Sequence, residues 1–68
     1  MVDVITAMLD GIQVEAHFAF VAMEMDEVGE WSTVNVWETI NGGMYRLDGS
    51  ELRPMEGVWE ATDLPRVA

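Results

Sequence analysis

From Ile12 to Phe18 apolar and polar residues alternate without a break. Ile12, Val14, Ala16 and Phe18 fall on one side, and Gln13, Glu15 and His17 on the other. Period two is the mark of a strand with one buried face, so the pattern predicts β structure here. The strand continues to about Met25, but its phase does not. Ala19 to Met23 is continuously apolar, and beyond it Met23 and Met25 are apolar while Glu24 and Asp26 are polar, so the inward face changes parity. A β-bulge or sharp bend near Phe20 to Met23 accounts for that change, as strands show where a small sheet curls into a barrel. The rival for 12–25 is a helix, favoured by its Ala, Glu and Met content, which would make the fold α+β. Wound at the helical period, however, the apolar residues surround the axis and leave no polar stripe, so the strand is preferred.

Asp10-Gly11 stands between this strand and an apolar run at 2–9. Asp-Gly between two such runs is a strong short-range signal for a type I′ hairpin. "DEVGE" then turns the chain into a β-branched and aromatic strand from Trp31 to Ile40, which Asn41-Gly42-Gly43 ends. A short strand from Met44 to Leu47 meets a second Asp-Gly at Asp48-Gly49, and Ser50 to Arg53 returns. Pro54 cannot donate to a ladder and marks a strand end or an edge. A last strand is expected over Val58 to Ala61, followed by "TDLPRVA" as a loosely held tail. The sum is an all-β fold of five or six antiparallel strands in one domain, 1–68, a small bent sheet or SH3-like barrel. No repeat, linker or low-complexity segment interrupts it.

Size makes such a fold marginal. Apolar burial and the entropy of ordering 68 residues each come to about 100 kcal/mol and nearly cancel. With no cysteine there is neither a disulfide staple nor a thiolate metal site, so added stability must come from packing, self-association or a partner. No apolar run reaches the ~18 residues of a membrane span, and Met1 to Leu9 lacks the basic start of a secretory signal. A cytoplasmic protein is the expectation.

Charge changes the picture most. Thirteen acids face three arginines and no lysine, a net charge of -10, yet half of the residues are hydrophobic, which separates the chain from disordered acidic segments. The field of such a protein repels nucleic acid and anionic membranes and attracts basic proteins or cations. The acids also keep a small protein dispersed, which is the simplest account of them.

The chemistry available is narrow. His17 is the only histidine, Ser32 and Ser50 are the only serines, and no Cys or Lys nucleophile exists. Glu15 and His17 share a strand face, where a carboxylate orients an imidazole, but surface pairing explains them as well; no enzyme activity is expected. Glu24, Asp26, Glu27 and Glu30 offer hard oxygen ligands, but their spacing lacks the order of a calcium loop, and no metal or other cofactor is expected. Three tryptophans are more informative. Trp31 and Trp37 share strand parity with Thr33 and Asn35 between them, a mixed face, and core anchoring is the first reading of Trp31, Trp37 and Trp59. The alternative is an aromatic hot spot ringed by acids and suited to arginine.

Two functions of different classes are expected from these features. The first is a non-enzymatic acidic interaction protein that docks on a basic, nucleic-acid-binding protein, without touching nucleic acid or membrane itself. Its contacts would be Glu24, Asp26, Glu27 and Glu30 with Trp31 as anchor, and a second group at Asp48, Glu51, Glu56 and Glu60. In size and charge alone the chain resembles the small acidic DNA-mimic inhibitors that phages and mobile elements carry; no motif is shared. The second is a structural or assembly subunit that pairs through sheet edges or an apolar face into a homo-oligomer or a larger particle.

Overall fold

The structure, a computed structural model, describes residues 3–66; Val2, where the sequence predicts the first strand to begin, and Val67 and Ala68 lie outside them. The described residues form six strands, β1 (Val4–Leu9), β2 (Ile12–Met25), β3 (Trp31–Thr39), β4 (Met44–Asp48), β5 (Glu51–Pro54) and β6 (Trp59–Thr62). No helix is present among them, so the helical alternative for 12–25 is overturned, and none is long and apolar enough to cross a membrane.

The first hairpin matches its sequence closely. Leu9 pairs with Ile12 across a two-residue loop in which Asp10 and Gly11 have φ of 52° and 80°, the paired left-handed conformations of a type I′ turn. The second Asp-Gly is used one residue later than expected. Asp48 pairs with Glu51 and so closes β4, leaving Gly49 (φ 64°) and Ser50 as the turn, with positive φ at the first position only, the type II′ form. β6 is displaced in the same sense, beginning at Trp59 rather than Val58.

β2 contains the phase change in its middle. Its pairing with β3 passes from Phe18–Trp37 to Phe20–Val36 and leaves Ala19 unmatched, a bulge just ahead of the expected segment. Before the bulge, Val14, Ala16 and Phe18 share the face of Trp37. After it Val21, Met23 and Met25, paired with Asn35, Thr33 and Trp31, take over that face, while Phe20, Ala22 and Glu24 lie on the face of Val36. A strand that changes face in this way has no uniformly polar side, and Val21, Ala22 and Val36 are completely buried.

The strand order is β1-β5-β4-β3-β2, with β1 returning to β2, so five strands form a ring and β6 is added to β2. Four of the ring's pairings are antiparallel, as the sequence leads one to expect, and the closure of β1 on β5 adds one parallel seam. The reason is topological: in an up-and-down run of five strands the first and last point the same way. This seam holds one bridge, Met8 to Glu51, and the Met8 N–H donates to the Ser50 carbonyl at 2.9 Å. Inside the ring Ala7, Ala16, Trp37 and Leu52 are buried, with Ile5, Leu9, Val14, Phe18 and Tyr45 packed against them. One large indole opposite two alanines lets a ring this small fill its centre.

Along one edge β2 is paired first with β1 (Ile12 to His17) and then with β6 (Val21 to Glu24), the two strands lying end to end. Between them the Phe18 N–H donates to the Asp3 carbonyl at 2.8 Å. Phe20 stacks on Trp59 with centroids 6.0 Å apart, and the Thr62 hydroxyl donates to the Val21 carbonyl at 2.7 Å. Residues 63–66 are fastened, against the expectation of a loosely held tail: Arg66 pairs with Asp3, just ahead of β1.

Candidate interaction surface

The stretch from Asp26 to Glu30 joins β2 to β3, and Asp26 organises it. Its Oδ1 accepts the N–H groups of Val28 (3.0 Å) and Glu30 (2.9 Å), while its own N–H donates to the Glu30 carbonyl at 2.9 Å. A short acceptor satisfying two nearby N–H groups is what Asp does well in turns, so this carboxylate orders the loop as well as charging it. Glu27 and Glu30 are exposed on that ordered loop, beside Val28 at 81% exposure and Trp31 at 41%.

Glu24 is a different case. Its residue is 7% exposed, Oε1 accepts from Arg46 Nη1 at 2.8 Å, and Oε2 accepts from the Glu56 N–H at 3.3 Å. It therefore leaves the set of exposed contacts expected from the sequence. The bulge at Ala19 sets Glu24 on the face of Phe20 and Val36, away from Trp37, and that face is not open here: Arg46 of β4 and the β5–β6 loop at Glu56 cover the carboxylate.

The structure divides the remaining acids differently from their order in the chain. Glu56, from the loop between β5 and β6, joins Asp26 and Glu27 around one open depression of about 570 Å³ with Glu24 and Arg46 also in its wall. Val58, 58% exposed, comes later in the same loop, and its carbonyl accepts the Met25 N–H at 2.9 Å. Glu60 is exposed on β6, in register with Met23. Asp48 and Glu51 are at a separate turn and share Arg53, at 3.3 Å and 3.5 Å. Among the described residues no cluster of His, Cys, Asp or Glu has the arrangement to hold a metal ion.

All three arginines are engaged within the chain: Arg46 with Glu24, Arg53 with Asp48 and Glu51, Arg66 with Asp3. His17 faces not Glu15 but its cross-strand neighbour Glu38, at 3.0 Å. Of the tryptophans, Trp37 is core, Trp59 is half-buried on Phe20, and Trp31 is the exposed one beside the acidic loop. Arg46 and Arg66 were not anticipated as site residues. Arg46 could have been suspected, since an arginine centred in the strand "MYRLD" needs an anion nearby; Arg66 carries no local signal. No protein-family model, no curated protein and no solved structure matches the chain.

Proposed function

We propose that this chain is a non-enzymatic interaction protein whose β2–β3 loop docks on a basic surface of a cytoplasmic protein that itself binds nucleic acid. One observation carries the reading: Asp26, Glu27 and Glu56 gather around one depression with Glu30 on the same loop, beside exposed Val28, Trp31 and Val58, while the molecule's arginines are engaged by other acids. Acids gathered around a depression with exposed apolar side chains beside it suit a surface of Arg and Lys, with charge steering the approach and the aromatic group supplying contact area. In its finer form the reading makes the protein a DNA-mimic inhibitor of the phage type, its carboxylates competing with phosphates.

The test is capture from a nuclease-treated bacterial lysate, comparing the wild type with Glu27→Gln/Glu30→Gln/Glu56→Gln. Asp26 is kept because it orders the loop. The expected result is a basic protein retained at low salt, released by high salt or added duplex DNA, and absent from the variant. Equal capture by both forms would overturn the proposal. Recovery of the chain's own copies alone, unmoved by salt, would favour the assembly reading instead. That alternative rests on β6, whose outer edge pairs with no described strand, and on exposed Val4 and Ile40 lining one depression.

A further inference from the structure

Arg66 lies against the aromatic part of the core. Its guanidinium carbon is 4.9 Å from the centre of the Trp37 ring system and 5.9 Å from that of the Phe18 ring, and Nη1 donates to Asp3 Oδ1. Phe18 and Trp37 meet edge to face, with centroids 6.0 Å apart and an interplanar angle of 79°. Two aromatic rings and a carboxylate are the groups that recognise a guanidinium: the rings attract its charge, and the carboxylate takes its N–H donors. With Arg66 in place Trp37 is only 2% exposed. The segment that supplies the arginine, 63–66, belongs to no strand, and both Arg66 and Asp3 keep about two-fifths of their side-chain surface in water.

We infer that Trp37, Phe18 and Asp3 form a guanidinium-binding socket, filled by the chain's own Arg66 and open to an arginine of a basic protein segment when 63–66 lifts away. A depression of about 440 Å³ lies alongside, lined by Val34, Trp37, Leu47, Asp48 and Arg66 among others, and gives such a segment room to approach. Arg46 also borders it, with its charge met by Glu24. Arginine is the fitting occupant rather than lysine, because a planar guanidinium stacks on a ring and donates to a carboxylate at once, whereas an ammonium is a compact, strongly hydrated charge. The acids of the β2–β3 loop take no part, so this socket and the docking proposal stand or fall separately.

An internal occupant lowers the fraction of molecules with the socket free, and the apparent affinity for an outside arginine falls by the same factor. Removing Arg66 is therefore expected to tighten binding about tenfold. The experiment is an NMR titration of the wild type and Arg66→Gln with acetyl-Gly-Arg-Gly-amide and, at equal charge, its lysine counterpart. In the variant the Trp37 indole and Phe18 ring signals should move with the arginine peptide at roughly tenfold lower concentration than in the wild type, and respond far less to lysine. In the wild type, Arg66 side-chain protons shifted by the Trp37 ring should return to their unstructured positions as arginine peptide is added. Equal affinity in the two proteins, or equal response to lysine, would make Arg66 a structural fastening only. If Arg66→Gln does not fold, the wild-type titration decides, and Arg66 signals unmoved at tens of millimolar peptide overturn the socket.

Discussion

Glu24 is an acid turned inward, and its worth is to the fold rather than to a partner. It fastens β2 to β4 through Arg46 and to the β5–β6 loop through the Glu56 N–H. Removing one member of a buried ion pair leaves the other unmet, but the Arg46 side chain is 35% exposed, so water recovers part of the loss. Glu24→Ala is expected to cost about 2 kcal/mol in urea unfolding, and Glu27→Ala, on the open loop, less than about 0.5 kcal/mol. Equal small losses for both would show the pair to be dispensable. Part of the candidate surface was legible in the chain: Asp26, Glu27, Glu30 and Trp31 do surround one turn. The burial of Glu24 was not: its side of the strand follows from the alternation after the bulge, but Arg46 and the β5–β6 loop that cover that side come from distant parts of the chain. Nor was Glu56, which comes to Asp26 and Glu27 only through the folding of a distant loop.

The elements were the more readable part, for physical reasons that differ between them. Turn chemistry is local: Asp10-Gly11 forms the hairpin it signals, since few residues tolerate positive φ at two successive positions. Gly11→Ala therefore tests conformation alone, as an added Cβ meets nothing within 4 Å. The expected loss is about 1 kcal/mol at unchanged urea m-value, and no loss would mean that the turn has another form open to it. At Asp48-Gly49 the turn falls one residue later, because Gly49-Ser50 is itself a favoured type II′ pair and competes with Asp-Gly for the loop. Alternation pointed to β2 but left a helix over 12–25 as the rival, which the structure overturns. The parallel seam was out of reach of any pattern, resting on a single bridge between residues 43 positions apart, Met8 and Glu51.

At the scale of the whole molecule, ten net charges are spread over 4842 Å², about one per 480 Å², and internal pairing with three arginines leaves most of the acids facing solvent. The hydrophobic interior is small enough that each strand depends on its neighbours, and β6 depends on β2 alone. The arrangement has a direction in time. β2 is complete at residue 25, yet the edge of Val21 to Glu24 receives its partner only from Trp59 to Thr62, after all the other strands. Docking of β6 is therefore expected to be the last step of folding, and the amides joining β6 to β2 should exchange with solvent sooner than those joining β2 to β3. Exchange at equal rates would mean that the sheet opens as one unit. Until that last step, a growing chain carries a bare strand edge at its most apolar stretch, and Glu24 stands within it as a charged gatekeeper against premature pairing with other chains.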